Sequence, residues 1–247
     1  MKILVIRHGE PDYVHDSLTE KGWREAELLS RRLCRLDIRD IFVSPLGRAK
    51  ATAKPTLEKL SRDAQELPWL REFRGTVVNP HTGERRIPWD LMPQYWTAQP
   101  ELFSLDTWEQ NGLMRTGDVA AVYRETAQGL DALLARYGYV REGFLYRCDH
   151  NQSDTIALFC HFGIGMAITS YLTGISPVLL WQGLFLPASS VTTFVTEERK
   201  RGEVFFKCMQ MGDTSHLYAA DEPVSSAGLF DEVHDAPGDK ILQETSR

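Results

Sequence analysis

Ile3-Leu4-Val5-Ile6-Arg7-His8-Gly9-Glu10 sets four apolar residues directly against a cation, an imidazole and a glycine. An apolar run that ends so abruptly reads as a buried strand entering a turn. The pattern returns far along the chain. Thr155 to Cys160 is a strongly apolar strand leading into His161-Phe162-Gly163 and a helix to about Leu172. Between the two, Ile41-Phe42-Val43 is a third apolar run, stopped by Ser44-Pro45 and followed by a helix from about Leu46 to Leu60. Ser17-Leu18-Thr19-Glu20 is a capping pattern. It opens a helix whose apolar residues Trp23, Ala26, Leu29, Leu33 and Leu36 recur every three or four positions. Strand and helix in alternation predict an α/β fold, a three-layer α/β/α sandwich with a mostly parallel sheet.

The stretch from Thr76 to Arg115 breaks this rhythm. Four prolines (Pro80, Pro88, Pro93, Pro100) lie among Trp89, Tyr95, Trp96, Phe103 and Trp108. A flexible linker would not carry so many aromatics, so 76–115 is expected to be a packed irregular insertion with short helices, capping the carboxyl edge of the sheet. Most of its aromatics are expected to fill the cap's own small core. Asp118 to Tyr137 reads as a long helix, and Val191 to Thr196 and Val204 to Met209 as two strands joined across Glu197 to Gly202. Residues 1–220 are thus expected to form one catalytic domain, and 221–247 a polar, acidic, loosely ordered tail.

The 247 residues are enough to bury a large core without disulfides. Twenty-eight Lys and Arg against 34 Asp and Glu leave a net charge of −6, which speaks against a general nucleic-acid binder but not against an anionic small molecule. Cys34, Cys148, Cys160 and Cys208 form no disulfide framework. Cys148-x-His150 and Cys160-His161 match no zinc spacing, so no metal and no cofactor are expected. The first residues lack the long apolar core of a signal peptide, and Ile175 to Ser189 is broken by two prolines and a glycine. The expectation is a cytoplasmic protein with no membrane partner.

In a parallel sheet the carboxyl ends of the strands face the ligand crevice. His8 and His161 should therefore emerge together, with Arg7 beside them and Arg48 entering from the helix after Ser44. Two arginines and two histidines at helix N-termini make an anion site, and phosphate fits it best. One unprotonated nitrogen would let His8 attack phosphorus, and a hydrogen bond from the other to a nearby carbonyl would fix that tautomer. Arg7, Arg48 and His161 would hold the phosphate oxygens.

These motifs resemble the histidine phosphatase superfamily, the phosphoglycerate-mutase-like branch. The resemblance rests on Ile-Arg-His-Gly-Glu at 6–10, Leu-Thr-Glu-Lys-Gly at 18–22 and Ser-Pro-Leu-Gly-Arg-Ala at 44–49. Leu70-Arg71-Glu72-Phe73-Arg74-Gly75 and His161-Phe162-Gly163 complete it. It runs from residue 3 to about 173 and leaves out the insertion and the tail. It implies a general acid, Glu72, with Glu10 as the competing carboxylate; Glu10, Phe162 and Arg74 are candidate substrate contacts. Three positions depart from the family pattern: Pro11 and Val14 stand where Thr and Asn are usual, and Phe162 where the second histidine motif usually has Gly.

The resemblance and the chemistry together predict a metal-independent hydrolase that cleaves a small phosphorylated metabolite through a phosphohistidine on His8. Two readings of other classes stay open at this point, a phosphoglycerate-type mutase and a non-catalytic phospho-ligand binding module. Self-association is left undetermined by the sequence.

Overall fold

A computed structural model describes residues 1–150 and 152–229. Eight strands form one sheet: β1 (Lys2–Arg7), β2 (Asp40–Val43), β3 (Gln65–Glu66), β4 (Val140–Glu142), β5 (Leu145–Arg147), β6 (Thr155–Cys160), β7 (Val191–Lys200) and β8 (Glu203–Asp213). Their order is β3-β2-β6-β1-β7-β8-β5-β4. The longer helices are α1 (Glu20–Leu33), α2 (Gly47–Leu60), α3 (Val119–Ala135), α4 (Phe162–Thr173) and α5 (Pro177–Gly183).

The α/β class expected from the strand–helix alternation holds, and both sheet faces are covered. Along β1, Leu4 and Ile6 face a core shared with Leu29 and Leu33 of α1 and Ala49 and Ala53 of α2. Ile3 and Val5 face the other core, with Leu130 of α3 and Ile164 and Ile168 of α4. Successive side chains of a strand point to opposite faces, so a central strand buried on both sides must be apolar throughout.

The expectation of a mostly parallel sheet needs correction. Only β3, β2, β6 and β1 run parallel; β7, β8, β5 and β4 extend the sheet by antiparallel pairs. The reason is local. β7–β8 and β4–β5 are hairpins, with Gly202 (φ 78°) and Gly143 (φ 61°) in their turns, and strands joined by a tight turn must pair antiparallel.

Thr19 is the cap of α1, accepting from the Gly22 N–H at 3.1 Å. α1 ends at Leu33, so Leu36 lies beyond it, and Trp23 and Leu36 are exposed where the helical spacing predicted an apolar face. β7 and β8 run longer than the two expected final strands.

The insertion contains a two-stranded hairpin (Val77–Val78 with Arg85–Arg86), a short helix (Pro93–Thr97) and three 3-10 turns. Trp108, 1% exposed, packs against Tyr123 of α3 and Trp181 of α5, ring centres 5.1 and 6.3 Å apart. Trp108 thus joins the main core, with Trp89 and Trp96 packed against it, whereas Phe103 is exposed. Of the expected tail, Glu222 pairs with Arg24 of α1 at 3.1 Å and Ser225 donates to Glu10 of the first loop at 2.6 Å. Residues 230–247 lie outside the described residues. Among the described residues no helix is long and apolar enough to cross a membrane.

Candidate active site

β1 and β6 are parallel neighbours in the register Arg7↔Cys160, and β6 pairs with β2 as Phe159↔Val43. Equal register ends the three strands at one edge. His8, His161 and Ser44, the residues that follow them, are therefore delivered side by side. The two imidazoles lie 5.1 Å apart, edge to face. Both are buried, His8 at 2% and His161 at 0% exposure.

His8 Nδ1 lies 2.7 Å from the carbonyl oxygen of Gly9. A carbonyl only accepts, so the proton sits on Nδ1 and Nε2 keeps its lone pair. The loop that imposes this geometry is held on three sides. Gly9 N–H donates to Thr52 Oγ1 (2.9 Å), Glu10 N–H to Glu25 Oε2 (2.7 Å), and Ser189 N–H to the His8 carbonyl (2.9 Å). Burial, then the charge of Arg7, pushes the His8 pKa down to about 3, although the Gly9 carbonyl opposes this. The ring is neutral throughout the physiological range.

His161 Nε2 lies 2.7 Å from Ser44 Oγ. That hydroxyl also accepts the Leu46 N–H (3.2 Å); when it donates its own hydrogen to Nε2, the ring proton is on Nδ1. Burial, then neighbouring His8, holds His161 well below the usual imidazole range.

Arg7 donates through Nη1 to the Leu186 carbonyl and through Nη2 to the Ala227 carbonyl at 3.1 Å. Arg48 enters from the first turn of α2, where Asp16 accepts from its Nη1 at 2.8 Å and from the Gly47 N–H at 2.6 Å. Its guanidinium lies 5.5 Å from the centre of the Tyr13 ring. Around His8, the nitrogens Arg7 Nε, Arg48 Nε and His161 Nδ1 are buried without a hydrogen-bond partner; among the described residues Glu25 Oε1, Thr56 Oγ1, Ser190 Oγ and His216 Nδ1 share that state. Buried donors are almost always paired. Three such nitrogens on the residues whose charge or ring reaches His8 are chemically suited to a small anion with several acceptor oxygens.

Glu72, in the loop after the 3-10 turn Pro68–Leu70, reaches the first turn of α4, its Oε1 accepting from Phe73 N–H (2.7 Å) and Ile164 N–H (3.1 Å). Burial raises its pKa above the ordinary carboxyl value against the pull of those two donors. Glu10 has both oxygens engaged, Oε1 by Thr19 Oγ1 (2.9 Å) and Oε2 by Ser225 Oγ. Phe162 is half-buried beside Arg7, 5.9 Å from its guanidinium to the ring centre. Arg74 is not brought to the group; it is exposed and pairs with Glu125 of α3 at 2.6 Å. Among the described residues no group of three or more His, Cys, Asp or Glu is arranged to hold a metal.

Ser44, Asp16, Glu25 and Thr52 escaped the sequence reading. Ser44 stood inside a quoted motif and had a signal; the other three reach the site only through tertiary contacts.

Residues 3–207 match the Histidine phosphatase superfamily (branch 1). A curated relative, "Probable phosphatase C1687.21" of Schizosaccharomyces pombe, is 40% identical over 67 residues, 24% of this chain and 32% of the relative. The match thus spans about a third of that relative's length. Among solved structures, a phosphoserine phosphatase mutant from Entamoeba histolytica in complex with phosphoserine is similar with a TM-score of 0.59 at 19% identity, over 87% of this chain and 98% of that one. The alpha-ribazole phosphatase of Shigella flexneri gives 0.56 at 17% identity, over 87% and 97%. At these identities the structures bear on the fold.

Proposed function

The chain belongs to the histidine phosphatase superfamily, branch 1, and on that premise we propose that it hydrolyses a small phosphate monoester through a phosphohistidine on His8. The observation that carries this reading is the fixed tautomer of His8, with buried, unpartnered donors on Arg7, Arg48 and His161 around it.

In the first step His8 Nε2 attacks phosphorus in line with the ester oxygen, and the P–O bond breaks as the P–N bond forms. Arg7 and Arg48 neutralise the non-bridging oxygens, and neutral His161 donates a hydrogen bond to them. The leaving alkoxide takes its proton from Glu72, which burial keeps protonated at a higher pH than an ordinary carboxyl. In the second step the ionised Glu72 takes a proton from water as the water oxygen bonds to phosphorus. The P–N pair returns to His8 Nε2, and Glu72 is again protonated. Atoms and protons balance over the cycle with no metal involved.

The insertion at 76–115 acts as a cap in this proposal, since its Trp89 lies against the His161-Phe162-Gly163 turn. The test is phosphate release from p-nitrophenyl phosphate and a panel of phosphorylated metabolites, wild type beside His8→Ala. Turnover that vanishes in the variant supports the proposal. Isomerised product without free phosphate would replace hydrolysis by mutase chemistry, and binding without turnover by a binding module.

A further inference from the structure

Phe162 and Phe185 both face the Arg7 guanidinium, with ring centres 5.9 and 5.1 Å from its central carbon, and lie 6.2 Å from each other. Trp89 of the insertion meets Phe162 edge-on at 5.5 Å. The far end of the Trp89 indole is 2.3 Å from the point where a Cβ on Gly163 would stand, and Glu72 Oε1 is 2.9 Å from the same point. Gly163 is thus the residue that lets an indole approach the carboxyl, and any side chain there would drive the two apart. The three rings form one strip from Arg7, on the phosphate side, to Glu72, on the leaving-group side. All three are half-buried, whereas Trp181 and Phe73 behind them are buried.

In an in-line displacement the ester oxygen departs toward the proton donor, so the carbon skeleton of the alcohol must pass along this strip. Aromatic rings favour an apolar, planar group edge-on or offset, and their negative faces disfavour a carboxylate. Nearby cations are turned elsewhere: Arg74 to Glu125 and, in the insertion, Arg85 to Thr76 Oγ1 and Arg86 to Glu84. Arg71 is exposed, and its charge reaches His161.

We propose that Phe162, Phe185 and Trp89 form the leaving-group subsite and that the substrate is a phosphate ester of an aromatic alcohol rather than of a hydroxy acid. The proposal rests on the phosphatase reading above and adds the substrate class to it. The family's usual glycine at position 162 would open a gap in the strip, and the phenyl ring closes it.

The test compares kcat/KM for benzyl phosphate and phosphoserine, both esters of poor leaving alcohols. Wild type should prefer benzyl phosphate by about 10- to 200-fold, the range one apolar pocket supplies. Phe162→Ala and, separately, Trp89→Leu should collapse that ratio toward unity; a merely structural defect lowers both values and leaves the ratio intact. Equal or better turnover of phosphoserine, or an unchanged ratio in both variants, overturns the subsite while the phosphatase reading stands. Absence of turnover and of phosphohistidine with every ester tested overturns the phosphatase reading, and the subsite with it.

Discussion

The imidazoles of His8 and His161 meet edge-on at 5.1 Å because their strands are parallel neighbours with Arg7 opposite Cys160. A register slip of one residue would flip every side chain of β1 to the other face and carry His8 away from His161. The chemistry proposed for this chain depends on that pairing and on the protonation state it imposes.

The first expectation concerns His8 itself. With its pKa pushed down to about 3, the ring should not titrate across neutrality. NMR of ring-labelled histidine should show a His8 signal that stays flat between about pH 5 and 8, the window in which ordinary histidines change charge. An inflection near 6.5 assigned to His8 would contradict it.

Glu72→Gln should lower turnover by about 10²–10⁴-fold, the usual share of a general acid–base. Glu10→Gln should cost much less, because both Glu10 oxygens are held by hydroxyls. The pH profile carries the sign. A carboxyl raised by burial stays protonated to higher pH, so the phosphorylation step should fall only above the ordinary carboxyl range, and Glu72→Gln should abolish that alkaline limb. A large loss in Glu10→Gln with a neutral Glu72→Gln would exchange their roles.

Glu25 gives a stability prediction independent of turnover. Its side chain is buried, its Oε1 lacks a partner among the described residues, and burial raises its pKa from 4.5 to about 7. The folded state therefore binds a proton that the unfolded state releases. The contribution is full below about 4.5 and is lost as pH rises through about 7, with an upper bound of about 3 kcal/mol. Glu25→Gln keeps an acceptor for the Glu10 N–H without the charge. Chemical denaturation at a series of pH values should show the variant gaining on wild type between those limits. Parallel curves would contradict the assignment.

Charge neutralisation by Arg7 and Arg48, with a hydrogen bond from neutral His161, predicts turnover that survives EDTA. Inactivation by chelator with rescue by a divalent ion would overturn the metal-free steps.

The strand ends were legible because four to six apolar residues stopped at once against Arg-His-Gly or His-Phe-Gly, and a strand buried on both faces leaves that mark. The antiparallel arm was not. Leu145–Arg147 buries one side chain, Tyr146, and Val140–Glu142 none fully, too little for a period to register. The site's reacting residues lay in motifs, as did Ser44, whereas the supports Asp16, Glu25 and Thr52 did not. Glu25 sits on a charged helix and reads as solvated, yet the Gly9–Glu10 turn seals it from water. From the sequence Trp89 is expected to fill the cap's own core and Phe185 carries no local pattern, and only folding sets both beside Phe162. The acidic composition after Asp221 concealed the contacts of Ser225 and Ala227 with Glu10 and Arg7.

The central claim is the covalent intermediate, and rapid acid-free quenching with ³²P-labelled benzyl phosphate or p-nitrophenyl phosphate tests it most directly. The account predicts a transient, acid-labile phosphoenzyme carrying label on His8 Nε2, absent in His8→Ala and accumulating in Glu72→Gln once an activated leaving group makes the acid dispensable. Turnover of either ester at full rate in His8→Ala, or label found on another residue, would contradict it.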